Sequence, residues 1–458
     1  MKKNRTILNH NPEAMISFSF LLAILVGAIL LKLPWATIHQ PLSWIDAFFM
    51  STSAVCVTGL TVIDVGRDLT LFGQLVILTL VQAGGLGIMT FSLIFLVMMG
   101  KRISLISRFS IPPLTQDINL QNVKFSLFFI LTMTLIIEGI GAVLLFINLK
   151  QFHPFPFALY SAVFHSITAF CNAGFSLYSD SMIGFQNHPF ILFILMGLII
   201  LGGLGFIVIY ELFTVILHRR KDHRRLPLSL HTRIALSATA ALLLTGGLVI
   251  WLLEGNNLLR GMPEEYKILN AFFLSVTSRT AGFTTVDLGG LSNAAVLLVS
   301  LLMFIGACPG STGGGIKIHV FVTLLNHIRS KIRGFSSTNV FKRKIPDHIV
   351  ERALAIFVYA ISLLTIAIFV LQITENLDSS TMVARERFLD TVFEAASAFG
   401  TVGLSTGLTP FLSYWSKIMV IILMFVGRIG PLTFGVALII QQRRKIMYEF
   451  PEEDVVVS

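Results

Sequence analysis

Charge is what this 458-residue sequence has least of. Asp, Glu, Lys and Arg together make up 13% of it, about half the share of an ordinary soluble domain, which excludes a chain kept in solution by a polar surface. Cysteine is also scarce. Cys56, Cys171 and Cys308 are the three present, none in a CxxC pair, so neither a disulfide framework nor a zinc site is expected. No Ser/His/Asp set and no metal-ligand spacing stands out, and no organic cofactor is expected, so the sequence does not read as an enzyme. The net charge of +10 does not point to nucleic acid, because no basic face is interleaved with aromatics.

Apolar sequence fills the space that charge leaves: 55% of the residues are hydrophobic. The runs come in pairs, near 14–33 and 72–99, 124–149 and 189–217, 231–253 and 293–327, and 348–373 and 414–441. Each is long enough to cross a bilayer. The first has no small-residue cleavage site and reads as a retained helix. Basic residues gather between the pairs: Lys2, Lys3 and Arg5; Lys101, Arg102 and Arg108; Arg219, Arg220, Lys221, Arg224 and Arg225; Arg329, Lys331, Arg333, Lys342, Arg343 and Lys344; Arg443, Arg444 and Lys445. A basic cluster after every second run is the positive-inside pattern, which puts both termini in the cytoplasm.

Between the members of each pair lies an apolar stretch of about a dozen residues, too short to cross. These begin near Ser43, Pro156, Tyr266 and Glu386, and they resemble one another. Each leads to a glycine followed by an apolar residue and then Ser or Thr: Val57-Thr58-Gly59-Leu60-Thr61, Asn172-Ala173-Gly174-Phe175-Ser176, Thr280-Ala281-Gly282-Phe283-Thr284 and Thr401-Val402-Gly403-Leu404-Ser405. This is a fourfold internal repeat. The predicted fold is an all-α polytopic membrane protein of four parallel repeats, each helix, pore loop and helix, giving eight spanning helices around a central pore. The repeats are placed at 1–110, 111–225, 226–340 and 341–458. Ser43 and Asp46 form an N-terminal helix signal, so the stretch after Ser43 is expected to be a half-helix pointing its partially negative end at the membrane centre.

Glycine at a loop apex lets carbonyl oxygens turn toward an axis. Four such loops around one axis would make a ring of carbonyls that replaces the hydration shell of a monovalent cation. One such glycine alone reads more readily as close helix packing; the recurrence favours the ring.

Repeats one, two and four carry a second glycine cluster further on: Gly84-Gly85-Leu86-Gly87, Gly202-Gly203-Leu204-Gly205 and Gly427-Arg428-Ile429-Gly430. Repeat three has the longer run 306–315, with Gly306, Pro309, Gly310, Ser311, Thr312, Gly313, Gly314 and Gly315. Such a run cannot sustain a helix, so this helix is expected to break into two halves joined by a loop at membrane depth. Ile316 separates Gly315 from Lys317 and no strand precedes the run, so it is not a nucleotide-binding P-loop. Arg428 stands where repeats one and two have glycine. A charge inside a span is costly and usually functional, so Arg428 is expected to face the pore and hydrogen-bond the 306–315 loop. Arg279 is expected to brace the filter by pairing with Glu394. Lys317 reads as an interfacial anchor and His165 as packing. Asp64, Asp180 and Asp287 form either an acidic outer mouth or ordinary solvated loops.

These motifs resemble the Trk/Ktr/HKT superfamily of potassium transporters, most closely the membrane subunit of bacterial Ktr systems, along nearly the whole chain. The resemblance implies that Val57, Thr58 and Gly59, Asn172, Ala173 and Gly174, Thr280, Ala281 and Gly282, and Thr401, Val402 and Gly403 form the filter. It implies K+ as the main transported ion, with Na+ as a second candidate. The 306–315 loop would obstruct the pore beneath the filter, and Cys308 stands where that family is expected to have serine. A homodimer in the plasma (inner) membrane and a cytosolic nucleotide-binding regulatory ring of the RCK/KTN type are further implications. The competing reading is a sodium-coupled carrier with alternating access, which usually shows inverted repeats.

Overall fold

A computed structural model describes residues 12–98, 120–222, 227–376, 385 and 387–430. Most of the terminal and interhelical basic clusters (Lys2, Lys3, Arg5, Lys101, Arg102, Arg108, Arg224, Arg225, Arg443, Arg444 and Lys445), together with residues 431–441 of the last expected span, lie outside the described residues.

The described chain is mostly helical. Four long-short-long groups follow one another: α1 (Pro12–Lys32), α2 (Trp44–Val55) and α3 (Leu71–Met98); then α4 (Leu120–Leu149), α5 (Phe155–Phe170), α6 (Pro189–Leu204) and α7 (Phe206–Asp222); then α8 (Leu230–Glu254), α9 (Glu264–Thr277), α10 (Asn293–Phe304) and α11 (Ile318–Ile332); then α12 (Asp347–Asn376), α13 (Phe388–Gly400) and α14 (Tyr414–Ile429). A two-stranded hairpin, β1 (Asn339–Val340) and β2 (Arg343–Lys344), joins α11 to α12.

Local sequence sets the helix starts. Ser43, Ser229, Ser292 and Ser413 each accept the amide three residues on, at 3.1, 3.2, 3.3 and 3.4 Å. That satisfies one of the donors a helix leaves open at its start. Pro154 and Pro263 stand at the starts of α5 and α9, where a missing N–H costs nothing.

Among the described residues three spans, 127–149, 230–254 and 347–375, are individually long and apolar enough to cross a membrane, and the bent pair α6–α7 makes a fourth. The bend of 100° between them departs from the single helix expected over 189–217. Its cause is tertiary. Gly205 has φ of +81°, a side chain on it would strike the Gly310 carbonyl, and Phe206 N donates to Gly310 O at 3.2 Å. The third group breaks where expected, α10 ending at Phe304 and α11 starting at Ile318.

The short helices α2, α5, α9 and α13 are largely buried. Neighbouring groups touch in cyclic order: α3 packs on α4 and α5, α6 on α9, α10 on α13, and α14 on α2. The last contact joins the end of the chain to its beginning, and Lys417 Nζ lies 2.7 Å from Asp46 Oδ1 across it.

Candidate functional site: a ring of four glycine segments

Each short helix ends in the same way. The first residue of the predicted filter segment turns left-handed: Val57 at φ +55°, Asn172 at +60°, Thr280 at +74° and Thr401 at +49°. In the first, second and fourth groups the next amide folds back onto the helix, Thr58 N to Ser53 O at 2.7 Å, Ala173 N to Thr168 O at 2.7 Å and Val402 N to Ser397 O at 2.9 Å. This is the hydrogen-bond pattern of a helix closed by a left-handed residue. Positive φ at β-branched Val57, Thr280 and Thr401 is costly and persists only where the surroundings enforce it. The sequence gives no sign of it. Gly59, Gly174, Gly282 and Gly403 follow, also at positive φ.

The four segments meet head to tail. A Cβ on Gly59 would strike Ala173 O; on Gly174 it would lie 2.8 Å from Ala281 O; on Gly282 it would strike Val402 O; on Gly403 it would strike Thr58 O. Each glycine therefore faces the carbonyl oxygen that precedes the next glycine, and after four steps the circuit closes. The α-carbons confirm the closeness, a Cβ on Gly403 lying 3.0 Å from Gly59 Cα and one on Gly282 3.0 Å from Gly174 Cα. Only glycine fits at such an approach.

On one side of the ring opens a vestibule of about 470 Å³, lined by the four glycines and the residues that follow them, with Asp64 and Asp68 among its walls. Asp64 Oδ1 accepts the amides of Gly66 and Arg67, and Asp287 Oδ1 that of Gly289, so these two carboxylates cap turns. Asp180 and Asp287 do not line the vestibule.

Two groups carry a polar brace behind the ring. Glu394 of α13 accepts from Thr409 Oγ1 at 2.6 Å, from Thr406 N at 3.2 Å and from Ser405 Oγ. The expected pairing of Glu394 with Arg279 does not form. His165 of α5 stands, like Glu394, nine residues before its glycine. Its Nε2 accepts from Leu177 N at 3.3 Å and Ser176 Oγ at 3.1 Å, so Nδ1 donates to Ser161 O at 2.8 Å. His165 thus ties the segment after Gly174 to its helix, a role the reading of it as packing missed. The matching residues in the other two groups, allowing for the one residue fewer before Gly282, are Met50 and Leu274, which have no polar atoms suited to it.

The 306–315 loop packs against the ring on the side away from the vestibule. A Cβ on Gly313 would strike Thr280 Oγ1, and one on Gly314 would strike Thr401 Oγ1. Both threonines open their glycine segments, so the loop lies directly against the ring. Ile305 and Ile316 pair as a parallel bridge, and Gly306 N donates to Ile316 O at 2.8 Å. The loop is also seated on α6: Cys308 N donates to Gly203 O at 3.1 Å and Thr312 N to Gly202 O at 3.3 Å. Buried carbonyls away from regular structure need donors. Three basic side chains supply them. Arg279 Nη2 donates to Gly306 O at 3.2 Å, Lys317 Nζ to Gly313 O at 2.6 Å, and Arg428 Nη1 to Thr312 O. Arg279 is thereby drawn to the broken helix end, which explains its separation from Glu394. Gly310 and Ser311 complete the loop, Ser311 Oγ donating to Cys308 O at 2.5 Å.

Residues 10–447 match the TrkH family, described as a cation transport protein. The chain is 37% identical to Ktr system potassium uptake protein B of Bacillus subtilis (strain 168), covering 98% of both chains. It is 39% identical to the Ktr system potassium uptake protein B of Vibrio alginolyticus, over 97% of this chain and 94% of that one. It is 35% identical to potassium/sodium uptake protein NtpJ of Enterococcus hirae, over 100% and 99%. The crystal structure of the potassium transporter TrkH from Vibrio parahaemolyticus has the same fold, with a TM-score of 0.69 at 21% identity over 93% of this chain and 86% of that one. The chain belongs to the TrkH family of cation transport proteins, a membrane transporter and not an enzyme.

Proposed function

We propose that this chain takes up potassium across the plasma membrane through a passage that crosses the ring of glycine segments. The observation that carries this reading is the closed circuit in which Thr58, Ala173, Ala281 and Val402 each set a main-chain oxygen against the glycine of a neighbouring group. Main-chain oxygens gathered at one point can replace the water around a dehydrated monovalent cation. The names of the relatives support K+ as the cargo, and that of NtpJ keeps Na+ as a second ion.

In this reading eight spans cross the bilayer in four parallel repeats, 1–110, 111–225, 226–340 and 341–458, with both termini cytoplasmic. The spans are α1, α3, α4, α6 with α7, α8, α10 with α11, α12 and α14. The vestibule faces outward and concentrates cations near Asp64 and Asp68. The 306–315 loop is the gate beneath the filter, held shut by Arg279, Lys317 and Arg428. Arg428 both pins the loop and sets a positive charge in the path. The chain works as a homodimer under a cytosolic nucleotide-binding ring of the RCK/KTN type, since no described part of it forms a domain able to sense a nucleotide.

The test is rescue of a potassium-uptake-deficient strain by the chain together with its regulatory partner. Rescue at low external potassium by the wild type, with loss of potassium preference in Gly59→Ser, is expected. An inserted, partnered wild type that fails to rescue overturns the assignment. Alternating access about inverted repeats is disfavoured by the head-to-tail order of the four segments.

A further inference from the structure

Behind the second ring segment lies a polar cluster that the passage itself does not use. Glu138 of α4 is 5% exposed, within a helix long and apolar enough to span. Gln82 of α3 donates from Nε2 to Glu138 Oε2 at 3.1 Å. Cys171 Sγ lies 3.8 Å from Glu138 Oε1 and 3.5 Å from Gln82 Oε1. Cys171 ends α5 and immediately precedes Asn172, the left-handed residue of the second segment. A Cβ on Gly85 would lie 2.8 Å from Cys171 Sγ, so α3 is pressed against the thiol as well.

The repeat makes this cluster informative. In three groups a hydroxyl of the short helix donates to a carbonyl of the first long helix: Ser51 Oγ to Ile24 O at 2.6 Å, Ser166 Oγ to Glu138 O at 2.6 Å and Ser275 Oγ to Leu243 O at 3.0 Å. Glu138 therefore occupies the place that isoleucine and leucine hold elsewhere. Gln82, two residues before Gly84, likewise matches Ile200 before Gly202 and Phe425 before Gly427. The fold accepts an apolar pair at this position, yet here it carries a carboxyl and an amide, which in a bilayer is costly without a function.

We propose that Glu138, together with Gln82, is a positioning residue for the second ring segment: it fixes Cys171, and through it 172–174, so that this quarter of the ring distinguishes potassium from sodium. The inference rests on the potassium-passage reading above. Asn172 adds to the mechanism, because its carboxamide nitrogen, turned toward the helix, donates to Ala169 O at 3.0 Å and Ile199 O at 3.2 Å. A shift of Cys171 would be passed directly to that anchor and to the ring.

The experiment compares Glu138→Gln, Glu138→Leu and the double variant Gln82→Leu/Glu138→Leu in cells that also make the regulatory partner. It measures initial rubidium and sodium uptake together with the thermal stability of each detergent-extracted full-length protein. Positioning predicts that Glu138→Gln keeps the wild-type rubidium-to-sodium ratio. Glu138→Leu loses that ratio several-fold. The double variant, which rebuilds the apolar pair of the other repeats, recovers stability but not selectivity. A double variant with wild-type selectivity overturns the proposal, because the cluster would then serve packing alone. If the wild type itself shows no potassium-selective uptake, the passage reading falls instead, so the two failures are distinguishable.

Discussion

Arg428 reaches Gly84: its Nη2 donates to the Gly84 carbonyl at 2.9 Å, across 344 residues of sequence. The same guanidinium donates from Nη1 to Thr312 O in the loop under the ring. One side chain of the fourth group therefore joins the first group to the third. It is 1% exposed, and a planar fork with donors on two nitrogens suits two carbonyls at once. Replacing Arg428 with methionine removes both bonds and leaves the Thr312 carbonyl of the loop without this donor, at about 1.5–3 kcal/mol for each charge-assisted bond. The expected outcome is a lower melting temperature and a several-fold rise in rubidium uptake without the regulatory partner. Unchanged uptake would show that Arg428 does not hold the gate.

Gly314 tests the loop from the other direction. Its absent side chain makes room for Thr401. Gly314→Ala should push the loop away from the ring and raise basal uptake, and Thr401→Ala in the same chain should return the loop to its seat. Basal uptake that stays high in the double variant would mean that contact with Thr401 does not set the loop's position.

Gly59 sits at φ +93° with no space for a Cβ. An L-residue held left-handed costs about 1–2 kcal/mol, and the collision with Ala173 O adds to that. Gly59→Ser should therefore displace the second segment as well as the first and lower the preference for potassium over sodium. Competition of sodium with rubidium uptake measures this, and an unaltered preference would count against the ring as the site of discrimination.

The Lys417–Asp46 pair closes the circle of helices between the last group and the first. Its side chains are 15% and 23% exposed, so its net worth lies at or slightly above the ~1 kcal/mol of an exposed ion pair. Lys417→Met should lower the melting temperature by a few degrees, and exchanging the two charges should restore most of the loss. A double-mutant cycle with no coupling would show that apolar packing alone closes the circle.

The sequence is legible where a local rule governs. Ser43 and Asp46 announce α2, and Ser43 Oγ accepts from Asp46 N as that pattern requires. Proline and glycine in 306–315 announce the break between α10 and α11. Legibility ends where the decisive neighbour is remote. Gly84-Gly85-Leu86-Gly87 and Gly202-Gly203-Leu204-Gly205 are the same motif, yet α3 runs through the first while the chain turns sharply after the second. The difference is Gly310 seated against Gly205. Opposite charge points Arg279 at Glu394, but the carbonyl that the helix break leaves open at Gly306 is the nearer need and takes its donor. The left-handed threonines and valine carry no sequence signal, because they are imposed by the meeting of four segments from distant parts of the chain.

The most direct test of the central claim is anomalous diffraction from crystals of the full-length protein grown in rubidium. The account predicts a peak on the axis among Gly59, Gly174, Gly282 and Gly403, within reach of the oxygens of Thr58, Ala173, Ala281 and Val402. Rubidium bound elsewhere in the membrane region, with no peak at that point, would contradict it.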